Sequence, residues 1–70
     1  MNDLEKRLLA AHTRDDRLAL VSLYREAADN ARDDTAEAFY LTHAYVFALE
    51  MGHEAAPALH KRLKQAGREE

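Results

Sequence analysis

Glu50 and His53 stand three residues apart, the Glu-x-x-His spacing by which helical bundles hold di-iron and di-manganese centres. In such centres carboxylates and imidazoles converge from facing helices on one or two cations. His60 falls on the same general face seven residues later, so a metal-binding or catalytic bundle would be built on Glu50, His53 and His60. The rest of the ligand set is missing. The chain has one such motif, Gly52 interrupts it, and no matched glutamates stand on the other segments. Nucleophilic chemistry is equally short of parts. Ser22 is the only serine, it lies inside a helical pattern, and no glycine-rich elbow or phosphate-binding loop accompanies it. The acid pairs Asp15–Asp16 and Asp33–Asp34 fall at predicted helix starts, where capping accounts for them. No catalytic, cofactor-binding or metal residue is therefore assigned, no small-molecule substrate is evident, and a non-enzymatic protein is expected.

The segment FYLTHAYVFALEMG, Phe39 to Gly52, carries most of the remaining information. At 100° per residue Leu41, Tyr45, Ala48 and Leu49 share one side of a helix, with Ala38 and Thr42 nearby. This side is expected to enter the core. The roughly opposite stripe holds Tyr40, His43, Phe47 and Glu50, where a surface helix would ordinarily be charged. Two outcomes follow: the aromatic stripe is covered by another helix of the same chain, or it meets another protein. Tyr40, His43, Phe47 and Glu50, together with Tyr24, are the candidate interface residues.

Helices must position these residues, since two glycines and one proline leave little material for β-turns. A short first helix is predicted from Asp3 to His12, capped by Asn2 with Glu5, its apolar stripe formed by Leu4, Leu8 and Ala11. His12 then suits the negative end of that helix dipole. Thr13 and Asp16 form a second cap-like pair, opening a helix from Arg14 to Ala31 whose apolar face is Leu20, Leu23, Tyr24, Ala27 and Ala31. Asp34 with Glu37 is a capping box for a third helix from Thr35, and Gly52 is its stop. Pro57 is tolerated only in a first turn, so a fourth helix begins at His53 or Glu54 and runs to Ala66, with Gly67 beyond. His53 then lies at the junction, within reach of both helix ends. Ala56, Leu59, Leu63 and Ala66 form the inner stripe of the fourth helix. The expected fold is all-α: one domain spanning residues 1–70, an antiparallel bundle with a short N-terminal helix and three longer ones.

Charge decides what such a bundle can meet. The net formal charge is −3, which disfavours nucleic acid as a general partner. From Asp33 to His60 there is no lysine or arginine, whereas Lys61, Arg62, Lys64 and Arg68 crowd the last segment. A nucleic-acid accessory role would use those four bases. In an antiparallel hairpin, however, they return to Asp33, Asp34 and Glu37, and internal pairing explains the order of charges. With no cysteine, no stretch of ~20 apolar residues and an N-terminus opening on an acid, a cytoplasmic protein without a membrane partner is expected. Seventy residues leave a thin stability margin, which keeps self-association as a homodimer in view.

The segment AFYLTHAYVFALEMGHEAAPALHKRL, Ala38 to Leu63, resembles a tetratricopeptide-type helical hairpin. Tyr45 and Ala48 stand where that repeat packs its inner helix, the MGHE turn is similar to its glycine-containing turn, and Leu59 and Leu63 would belong to its outer helix. Residues 14–31 do not repeat the pattern, so a single hairpin and not an array is expected. The resemblance implies a helical fold whose work is binding other proteins, with no ligand residue assigned by it.

Overall fold

Two aspartates decide where the middle helices begin. Asp16 Oδ1 accepts a hydrogen bond from Ala19 N at 3.1 Å, and Asp33 Oδ1 accepts one from Ala36 N at 2.7 Å. Each serves a first-turn N–H that no carbonyl of its own helix can reach. In the computed structural model, which describes residues 3–66, they precede α2 (Arg17–Asp29) and α3 (Asp34–Met51). α1 (Asp3–Arg14) comes before them and α4 (Ala56–Gln65) after. The described residues form no strand, and the fold is all-α. The predicted cap at Asn2 and stop at Gly67 lie outside the described residues.

The helix ends correct several predicted boundaries. α1 continues to Arg14 because Asp15, not Thr13, makes the turn, with a left-handed φ of 54°. Asp16 N donates to Ala11 O at 2.9 Å and Asp15 N to His12 O at 3.1 Å, which closes the last carbonyls of α1. Thr13 is spent inside α1, its hydroxyl donating to Leu9 O at 2.9 Å. The predicted box of Asp34 and Glu37 is displaced by one residue: Asp33 takes the cap, and the Glu37 carboxylate turns to Arg62. Gly52 does stop α3, at φ 62°, with His53 N donating to Ala48 O at 2.8 Å and Gly52 N to Leu49 O at 3.2 Å. α4 starts later than predicted because the chain must first leave this turn, and with 10 residues it is the shortest of the four helices. Ala55 has no side chain to cap it, and His53 Nδ1 accepts from Ala55 N at 2.9 Å instead.

Each helix packs on the next in chain order, α2 against α3 most extensively. Ion pairs show that neighbours run antiparallel. Arg7 in α1 grips Glu26 near the end of α2 with two hydrogen bonds, of 3.2 and 2.6 Å. Arg17 at the start of α2 lies 3.8 Å from Glu50 at the end of α3. Arg62 in α4 spans Glu37 at the start of α3 and Asp29 at the end of α2, both at 2.9 Å. The predicted return of the basic segment to the acidic start of α3 therefore rests on Arg62; Arg68 lies outside the described residues.

The core common to α2, α3 and α4 comprises Val21, Ala28, Leu41, Ala44, Ala48, Ala56, Leu59 and Leu63. Ala11, Leu20, Ala27 and Ala38 are also buried. On α3 the buried arc is turned from the predicted one. Ala44 belongs to it, whereas Leu49 is 55% exposed and Thr42 lies on the surface. The cause is the position of the neighbours: α2 covers the Tyr40–Ala44–Phe47 side, and α4 covers the side of Leu41 and Tyr45. What neither reaches is the outer stripe of Phe39, Thr42, Val46 and Leu49.

Replacement of Gly52 by alanine tests the α3 turn. An added Cβ meets no atom within 4 Å, so the penalty arises from the positive φ alone. A loss of about 1 kcal/mol is expected in urea unfolding. The Arg7 contact makes a separate prediction about acid. Hydrogen bonding to Arg7 lowers the pKa of Glu26 below its ordinary 4.5, burial opposing and the charge of Arg7 assisting. The folded state then binds fewer protons than the unfolded chain in that range, so this contribution is present above pH 4.5 and is lost as pH falls through the folded pKa. Urea midpoints should fall less steeply with acid in Glu26→Gln than in the parent protein.

Candidate functional site

Tyr24 is the only aromatic residue of α2, and it is the centre of the ring cluster. Its ring stacks on His43 with centroids 4.9 Å apart, runs 16° from parallel to Phe47 at 6.1 Å, and lies 6.3 Å from Tyr40. These three stand on one side of α3 because positions 40, 43 and 47 repeat at helical spacing. From α1, His12 closes the far side. Its ring meets Tyr24 edge-on at 5.8 Å and Phe47 at 6.1 Å, and its Nε2 shares a 2.8 Å hydrogen bond with the Tyr24 hydroxyl. The aromatic stripe is thus covered in large part from within. Tyr24, Tyr40, His43 and Phe47 are all half-buried, and Glu50 at the end of the stripe is exposed beside Arg17.

The cluster continues outward on one side. Phe39 approaches His43 with centroids 4.5 Å apart and meets Tyr40 edge-on at 5.5 Å, yet remains 58% exposed. His43 Nδ1 donates to Phe39 O at 2.9 Å, which fixes the imidazole between the covered rings and the exposed one. Past Phe39 the outer stripe continues through Thr42, Val46 and Leu49, at steps of three, four and three residues. The spacing is present in the sequence, but helical periodicity predicts Leu49 in the core and places Phe39 on neither face, whereas the structure exposes both. Thr42 adds little polarity there, its hydroxyl donating to Ala38 O at 2.8 Å within the helix. Leu9 and Leu18 are exposed on α1 and α2.

The residues with metal-ligand spacing are dispersed among other tasks. Glu50 faces Arg17, His53 accepts from Ala55 N, and His60 stacks on Tyr45 with centroids 5.4 Å apart. Among the described residues, no three histidine or carboxylate side chains gather where they could share a metal ion. Among the described residues, too, no helix is long and apolar enough to cross a membrane.

Burial raises the pKa of Tyr24 above its ordinary 10.0, and the neighbouring Tyr40 adds to the effect. The folded protein therefore keeps this proton where the unfolded chain has lost it. The contribution is complete below pH 10 and is lost as pH rises through the folded pKa. Tyr24→Phe should flatten the alkaline fall of the urea midpoint while lowering stability at neutral pH by about 1 kcal/mol, through loss of the hydroxyl bond to His12.

Compared with family models, curated proteins and solved structures, the chain matches none.

Proposed function

We propose that this protein is a small non-enzymatic protein–protein interaction module whose contact surface is centred on the outer side of α3. One observation carries it. Phe39, Val46 and Leu49 are 58%, 46% and 55% exposed and stand on a single stripe of the longest helix, with Met51 46% exposed at its end. Scattered exposed apolar residues are ordinary, but an aligned row on one helix face marks a surface that another chain covers. Tyr40 and His43 meet Phe39 and join it to the covered rings of Tyr24 and Phe47, and Glu50 borders the stripe.

The α3–α4 pair also supports kinship with tetratricopeptide-type hairpins: Ala48, Leu59 and Leu63 are buried together, Tyr45 packs against them, and Gly52 makes the turn. Binding other proteins is the usual work of such hairpins.

A benzophenone-bearing phenylalanine analogue at Phe39 tests the surface in the source cell. Covalent protein adducts are expected from that position and not from the exposed Ser22 of α2, and Val46→Asp should abolish them while leaving the helical circular-dichroism signal intact. Phe47→Asp, by contrast, should unfold much of the chain, since its ring packs on the core, Tyr24 and His12; loss of about 3 kcal/mol is expected. A folded protein that yields no adduct at Phe39 would remove the proposal.

A further inference from the structure

α1 is attached differently from the other helices. Among the described residues its backbone packs on α2 alone, whereas α2 and α4 both pack on α3. Ala11 is its single buried residue. α4 has 10 residues against the 12 of α1, yet buries Ala56, Leu59 and Leu63. Among the described residues, the core shared by α2, α3 and α4 includes none from α1. Open hollows flank the α1–α2 contact, one lined by Leu4, Leu8 and Ala27, the other by Ala10 and Leu23. Polar ties at the surface complete the attachment. Arg7 pairs with Glu26, both side chains 43% exposed, and the exposed His12 shares its hydrogen bond with the Tyr24 hydroxyl.

We propose that α1 is a strap that lifts from α2 as one unit while α2, α3 and α4 keep their core, and that its lifting uncovers the Tyr24–Phe47 part of the ring cluster. Local opening occurs where few apolar contacts are buried and the polar contacts are open to water. The joint suits it. Asp15 and Asp16 alone separate the two helices, and Asp15 holds the left-handed φ of 54°. A residue with a Cβ favours other backbone conformations, so rotation at Asp15 swings α1 away without resistance from that bond. α2 keeps its own start, since Asp16 caps it through Ala19 N. As α1 lifts, His12 withdraws its edge contacts from Tyr24 and Phe47, now 5.8 and 6.1 Å between centroids. Those two rings keep their places, because the contacts of Tyr24 with Tyr40, His43 and Phe47 join α2 to α3. The strap therefore controls access to rings that the closed chain half-buries, and this holds whether or not the outer stripe of α3 meets another protein.

Native-state amide hydrogen exchange of the intact chain, followed through a series of urea concentrations below the unfolding transition, tests the strap. Amides from Leu8 to Thr13 should share one opening equilibrium, at least about tenfold more open than the slowest amides of α3. Its urea dependence should be above zero and well below that of global unfolding, since a limited surface is exposed. His12→Ala should raise exchange throughout α1 by about fivefold. Leu63→Ala removes core that the lifted state retains, so it should accelerate the slowest α3 amides by at least about tenfold and leave α1 exchange unchanged. If that variant does not fold, Val21→Ala serves in its place. Equal acceleration of α1 and α3 by the core variant would overturn the strap, because α1 would then open only when the whole chain unfolds. A residue-by-residue gradient from the helix end with no urea dependence would overturn it too, by showing fraying in place of lifting.

Discussion

A helix that is apolar around its whole circumference needs more neighbours than a chain of this size can provide, and the architecture follows from how α3 meets that demand. α2 and α4 flank it, and from α1 the ring of His12 meets Phe47. Small residues make the approach close. Among the described residues the buried hydrophobic set holds seven alanines, four leucines and one valine. Alanines let helices come near one another, but each removes little apolar surface from water, so the core gains less than a leucine-rich one of equal length. Tyr24 makes up part of the difference by laying one large ring across three aromatic neighbours on α3. The outer third of α3 is left over.

Charge fixes how the helices are arranged more than how firmly they are held. One arginine spans each joint: Arg7 from α1 to α2, Arg17 from α2 to α3, and Arg62 from α4 to both α3 and α2. The partners are substantially exposed, and exposed pairs contribute little to stability. Their value is in register. Each contact requires one helix to run against the next with a particular offset, and Arg62, between two carboxylates, draws the ends of α2 and α4 to the start of α3. The neutral, acidic and basic blocks along the chain are the linear trace of these contacts.

The sequence was legible wherever a residue type allowed one conformation, and illegible wherever several side chains could serve. Gly52 could be placed because a left-handed turn after a long helix favours glycine. Asp15 makes the same turn without glycine, and nothing in the run HTRDD separates it from Asp16 as cap or turn residue. In Asp33–Asp34 either carboxylate could cap, and the structure uses the first. The inner faces of α1 and α4 are readable from their periodicity, since polar residues mark the opposite side, whereas on α2 the predicted stripe holds Leu20 and Ala27 but omits Val21 and Ala28, which are buried in the core. α3 offered no such phase. With apolar residues on all sides, its rotation is set by where α2 and α4 lie, which is tertiary information, so Leu49 was placed inside and Ala44 missed. Tyr24 was recognised as part of the aromatic group, but its position as the cover of that group depends on α2 crossing α3 beside His43.

The leftover side of α3 is the part of its circumference that α2 and α4 do not cover, and it exposes Phe39, Val46 and Leu49 in a row. The stripe is one helix wide, Thr42 interrupts its apolar row at the middle, and Glu50 borders it beside Arg17. The shortfall in covering α3 arises in an alanine-rich core, whose small side chains bring α2 and α4 close to two sides of the helix and leave the third to solvent.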